Sequence, residues 1–101
     1  LNGLLANIAL PVPLDKTFTY LVPPELSSLA QPGRRAIVPF GKKTLTGVIV
    51  GLPETTLVKG LKPIQDILDD EPAFSAEMLS LTEWIAEYYM APWGEVLRAA
   101  T

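Results

Sequence analysis

A chain of 101 residues is long enough for one hydrophobic core and too short for two. Hydrophobic residues make up 49% and charged residues 19%, the reverse of a disordered tail, and no apolar run approaches the roughly 20 residues of a membrane-spanning helix. The absence of cysteine and histidine excludes disulfides, thiol nucleophiles, imidazole bases and nearly every zinc or haem site, while a net charge of −3 argues against a broad phosphate-hugging surface.

The first two thirds of the chain read as strands. Leu5 to Leu10 is a short apolar run that must stay extended through Pro11-Val12-Pro13, because proline lacks a ladder donor. Thr17 to Val22 is rich in β-branched and aromatic residues and stops at Pro23-Pro24. A loop follows, ending in the turn signal Pro32-Gly33. Arg34 to Phe40 and Thr44 to Leu52 flank Gly41-Lys42-Lys43, which predicts a hairpin whose glycine allows positive φ. Gly47 within the second run predicts a bulge or a close backbone approach. Pro53 to Gly60 reads as a loop. Leu61 to Leu68 reads as a last strand that Pro63 pushes to an edge. Five short strands imply a small antiparallel sheet or a partly closed β-barrel.

The periodicity then changes. Asp69-Asp70-Glu71-Pro72 is a breaker, and Ser75 is a helix N-cap with Glu77 favourably placed in the first turn. Met78, Leu81, Ile85 and Tyr88 recur at three- and four-residue steps, widened by Trp84 and Tyr89, with Ser80, Glu83 and Glu87 opposite. That pattern predicts an amphipathic helix to about Met90 with the large residues turned inward. A second helix over Pro92 to Ala100 would turn Val96, Leu97 and Ala100 inward. The class is α+β: a strand-rich part over about 4–68 followed by two helices over about 75–100, forming a single domain over 1–101. A start at Leu1 rather than methionine and a stop in mid-pattern suggest an excised piece.

Charge is unevenly spread. Through Lys62, seven lysines and arginines face three acidic residues, giving +4; beyond it Arg98 alone faces eight acidic residues, giving −7. Such asymmetry hints at an anionic partner on one side, or simply at lysines on hairpin turns and glutamates on a helix. Any nucleic-acid contact would then be local. No catalytic constellation emerges: the adjacent acids form a polar turn, and Ser27, Ser28, Ser75 and Ser80 have no base or motif beside them. Gly41-Lys42-Lys43-Thr44 lacks the upstream glycine of a phosphate-binding loop.

Three positions remain of interest. Phe18 shares one strand face with Tyr20, so each is either core or a stacking surface for a base. Gly41 is either a turn glycine or a point where a ligand approaches the backbone, with Lys42 and Lys43 as candidate phosphate contacts. Lys62, fixed between a glycine loop and Pro63, is a surface lysine or a ligand contact.

Taken in order, the segments Ile8 to Pro23, Pro32 to Lys42, Gly47 to Val50, Leu61 to Ile64, Trp84 to Tyr89 and Gly94 to Leu97 resemble the N-terminal domain of the bacterial replication-restart helicase family PriA (primosomal protein N′). The resemblance implies a cytoplasmic, DNA-binding role in replication restart and primosome assembly: recognition of the 3′ end of the nascent leading strand at a stalled fork. It places ATP hydrolysis and zinc in helicase lobes outside this chain, so the fragment itself would be no enzyme and would need no cofactor. The family's terminal-nucleotide pocket maps onto Phe18, Thr19, Gly41 and Lys62. Thr19 departs from the family's usual aspartate; its hydroxyl is shorter and uncharged, yet still donates or accepts. Other partners in this reading are the helicase lobes and other primosome proteins. The alternatives are an SH3-like protein-interaction module using Tyr20, Phe40 or Trp93, or a structural docking domain for the helicase lobes.

Overall fold

The computed structural model describes residues 4–68 and 71–100, so the Asp69-Asp70 part of the expected breaker lies outside the described residues. The fold is α+β, as the sequence indicates. Strands β1 (Leu4–Ala9), β2 (Phe18–Val22), β3 (Arg35–Phe40), β4 (Lys43–Gly51) and β5 (Asp66–Ile67) form one antiparallel sheet in the order β2-β1-β4-β3-β5. Helices α1 (Ala76–Tyr88) and α2 (Trp93–Ala99) follow.

The expected last strand, Leu61 to Leu68, is largely irregular. Only Asp66 and Ile67 pair along β3, whereas three residues earlier Pro63 forms a parallel bridge to Leu21 on β2, the opposite edge. One short segment thus touches both edges and curls the sheet into a partly closed barrel. Because Pro63 has no N–H, the β2 seam is carried by its neighbours: Leu21 N–H donates to Lys62 C=O at 3.0 Å and Ile64 N–H donates to Leu21 C=O at 2.9 Å. The loop expected after Pro24 is a 3₁₀ helix, Pro24–Leu29.

Period-two alternation sorts the strands as expected. Ala6, Ile8, Leu10, Tyr20, Val22, Ala36, Val38, Ile49 and Ile64 fill the barrel interior. Ala9 and Val48 point the other way, onto Phe74, Leu79 and Leu97 of the helical part. Gly47 is the close approach anticipated: a Cβ there would stand 2.6 Å from Ile8 Cγ2 and 2.7 Å from Ala9 O. Gly94 marks a tighter seat, since a Cβ would lie 1.8 Å from the Leu10 carbonyl oxygen. Only glycine lets α2 rest on that backbone.

Helix α1 begins where Ser75 caps it, its Oγ accepting from Met78 N–H at 3.1 Å. Its polar face lies outward as expected, with Ser80, Glu83 and Glu87 exposed, and Ile85 is half-buried, but most of the large-residue stripe is not turned inward. Leu79, Thr82 and Ala86 are the buried residues, while Met78, Leu81, Trp84 and Tyr88 are exposed, Trp84 by 58% and Tyr88 by 66%. Leu79 packs there with Phe74, Leu97 and the Trp93 ring, and Thr82 and Ala86 complete the buried stripe. Thr82 is retained at this interface because its hydroxyl donates to main-chain carbonyls and accepts from Trp93 Nε1 at 3.0 Å. In α2, Gly94 and Leu97 are buried, Val96 is half-buried and Ala100 is exposed, so the inward assignment of Ala100 is also corrected.

Candidate functional site

The free edge of β2 borders a cleft of about 250 Å³, walled by Lys16 to Tyr20, by Pro39-Phe40-Gly41 and by Val58 and Gly60 to Lys62. All four residues singled out from the sequence, Phe18, Thr19, Gly41 and Lys62, line it. They come from three segments that only the barrel closure brings together. Two lysines line the walls and, among the described residues, no carboxylate does, so the cleft favours an anionic or electron-rich ligand within an acidic molecule.

The seam explains why a cleft exists. Leu21 turns its main-chain N–H and C=O away from β1 toward Lys62 and Ile64. By antiparallel alternation, Thr19 points the same way. Among the described residues, however, no main-chain hydrogen bond joins Thr19 to residues 60–62. The pairing stops after one rung, the Leu21–Pro63 bridge, and Gly60 just before it turns with φ 68°. A donor and an acceptor of the Thr19 main chain are thereby left open to the cleft.

The Thr19 side chain is already engaged. Thr19 faces Asn7 across the β1–β2 ladder, and its hydroxyl donates to Asn7 Oδ1 at 2.8 Å. Toward a ligand the hydroxyl can therefore only accept, and donation falls to the Thr19 N–H.

Phe18 is half-buried at the barrel rim and meets Phe40 edge-to-face, with ring centroids 5.2 Å apart at 82°. The Lys16 ammonium lies 5.0 Å from the Phe18 centroid, a weak cation–π contact on an exposed side chain. Tyr20, its companion on the same strand face, is only 6% exposed and donates to Pro39 C=O at 2.7 Å. Burial raises the Tyr20 phenol above its ordinary pKa of 10.0, holding it neutral. Of the two aromatics, Tyr20 is core and Phe18 is rim.

Gly41 takes φ 62° at the first central position of a two-residue turn closed by the Phe40–Lys43 pair. A Cβ at Gly41 would meet no atom within 4 Å, so the surface beside it is open. Lys43 belongs to β4 rather than to the turn, and Lys42 and Lys43 are both exposed just outside the cleft. Lys62 is exposed on the cleft wall while its carbonyl accepts from Leu21 N–H, which fixes its backbone.

Asn7, Lys16 and Phe40 complete the site and were not picked out as its parts by sequence reasoning. Their roles depend on strand register and on closure of the barrel. The only signal for Phe40 was its place in the Pro-Phe-Gly corner.

Residues 7–101 match the family model described as the PriA 3′ DNA-binding domain (3′BD). The chain is 36% identical over 95 residues to the replication restart protein PriA of Haemophilus influenzae, covering 92% of this chain and 13% of that protein. It is 37% identical over 90 residues to the Synechocystis protein of the same name, covering 85% and 10%. The Bacillus subtilis PriA is 30% identical over 76 residues, covering 73% and 9%. The chain therefore spans only 9 to 13% of the length of these relatives.

Proposed function

The chain belongs to the 3′ DNA-binding domain family of the replication restart protein PriA, and on that premise we propose that its cleft takes the 3′-terminal nucleotide of a DNA strand. Membership makes it a DNA-binding domain of replication restart; recognition of the strand end is the finer reading. The observation that carries it is the gathering of Phe18, Thr19, Gly41 and Lys62 around one small cleft beside an unpaired strand edge. In this reading the base rests on Phe18, and the open turn at Gly41 lets the sugar approach the backbone. The Thr19 main chain supplies the polar contacts. Lys62 meets the terminal sugar-phosphate or the base. A cleft of about 250 Å³ suits one nucleotide, and stacking reads every base alike. The biological target would be the nascent leading strand at a stalled fork. Helicase lobes, ATP and zinc lie outside these residues in this reading, and the setting is the bacterial cytoplasm.

Fluorescence anisotropy with 5′-labelled single strands tests the idea. A free 3′-hydroxyl should bind clearly more tightly than a 3′-phosphate, and the salt slope should be shallow, about 0.7 per phosphate for one or two contacts. Equal affinity for free and blocked ends would end the proposal.

The outward face of α1 favours a second, compatible reading, docking onto another protein surface such as the helicase lobes of a longer relative. Trp84 and Tyr88 stack at 5.2 Å, and Tyr89 adds an edge contact, yet all three are exposed. An SH3-like module built on Tyr20 or Trp93 is disfavoured, because Tyr20 is buried and the Trp93 indole is bonded to Thr82.

A further inference from the structure

A strand whose last nucleotide fills the first cleft must leave it past one of the walls, and two neighbouring clefts offer routes. One, of about 530 Å³, lies behind Val58, Gly60 and Leu61 over Leu5 and Leu21; it carries Lys59 but also the Glu54 carboxylate. The other, of about 640 Å³, lies on the far side of Phe40 and Gly41, the two residues it shares with the first cleft. Its floor is Pro11, Val12, Pro13 and Leu14, and its rim is Lys42 and Lys43, with no carboxylate in the lining.

Phosphate electrostatics separate the two routes. A strand turning toward Glu54 would bring like charges together, whereas one crossing Gly41 would place its first internucleotide phosphate beside two exposed lysines. Gly41 is the low point of that crossing, since it has no side chain and no neighbour within 4 Å of its virtual Cβ. Beyond it, Leu14 is 48% exposed although it adjoins Val12, which packs on the core. An uncovered apolar shelf with a cationic rim is the composition used to hold a base and its phosphate together, and proline and leucine serve as base-contacting surfaces.

We infer that the cleft between Pro11–Leu14 and the Phe40–Lys43 turn is a second-nucleotide subsite. It receives the base 5′ to the terminal one against Leu14 and the flanking prolines, with Lys42 and Lys43 on the phosphate that joins the two. This rests on the end-binding reading above and extends it: the footprint is two nucleotides, laid across Gly41.

The test uses 5′-fluorescein-labelled oligothymidylates with a free 3′-hydroxyl, carrying a single abasic residue at the second, third or fourth position from the end. The wild-type chain should lose about fivefold in affinity when the second base is missing, a weaker effect than an aromatic platform gives, and little for the third or fourth. Leu14→Ser should lose affinity for the intact strand and become indifferent to the abasic site. Leu14 is half exposed, and a matched urea midpoint will show that the fold is kept. Lys42→Ala with Lys43→Ala should weaken all of these strands together and lower the salt slope by about 0.7, since one phosphate contact is lost.

Wild-type indifference to the second-position abasic site, with free and blocked ends still distinguished, overturns the subsite and leaves end recognition standing. So does a loss that Leu14→Ser retains and Val58→Ser removes, because the strand would then leave over Leu5 and Leu21. No distinction between free and blocked ends overturns both proposals.

Discussion

Phe18→Ala separates the contribution of the ring to binding from its contribution to folding, because a folding loss of the expected size hardly changes the folded fraction. A buried phenylalanine truncated to alanine costs about 3–5 kcal/mol. Phe18 sits at the rim, half-buried, with one edge-to-face contact to Phe40, so about 2 kcal/mol is expected. Even a domain at the low end of ordinary stability, about 5 kcal/mol, keeps about 3 kcal/mol, which leaves about 99% of the molecules folded. Lost folding therefore lowers apparent affinity by about 1% or less. Loss of base stacking, by contrast, is worth about 1–3 kcal/mol, or roughly 5- to 150-fold in Kd. Anisotropy with a free 3′ end and urea unfolding, run on the same preparations, measure both quantities. Phe18→Leu sharpens the comparison, since it keeps most of the volume against Phe40 and removes the flat ring. If Phe18→Leu and wild type bind a free 3′ end within twofold of each other, the ring is not a stacking platform and the role assigned to it is wrong.

Gly94→Ala should destabilise the fold by about 2–4 kcal/mol, read as a lowered urea midpoint, because its Cβ would meet the Leu10 backbone rather than a side chain able to move away. A midpoint equal to wild type would mean that α2 is not seated as described. Tyr20 gives a pH dependence whose sign follows from burial. Its folded pKa is raised, so its contribution is complete below about pH 10 and is lost as pH rises through the folded value, the unfolded chain ionising first. Tyr20→Phe should remove that alkaline component and cost about 1 kcal/mol at pH 7 by leaving the Pro39 carbonyl without its donor. Urea titrations at pH 7 and across pH 9–11.5 check both statements.

Strand positions were legible because β-branched and aromatic runs between proline and glycine signals have few other uses. The extent of α1 was legible for a similar reason, since Ser75 can cap only one turn. The face of α1 was not. Hydrophobic periodicity finds where large apolar residues align, but burial depends on what fills the opposing surface. Here Leu79, Thr82 and Ala86 form the buried stripe beside Phe74, Trp93 and Leu97, while Met78, Leu81, Trp84 and Tyr88 stay exposed. In the same way, Leu61 to Leu68 has strand composition, but it divides its pairing between two edges and so forms little ladder with either. Phe18, Gly41 and Lys62 stood out by resemblance and by residue type. Asn7 could not, because the Thr19–Asn7 hydrogen bond exists only in the register that sets Asn7 opposite Thr19.

The seat of Gly94 on Leu10 has a mechanical consequence. Leu10 is the next residue after β1, and Pro11, which follows it, begins the shelf at Leu14 and borders the second cleft. Backbone rests on backbone there, with no compliant side chain between to absorb a displacement. The acidic helical part and the start of the shelf are thus joined by main chain set directly against main chain.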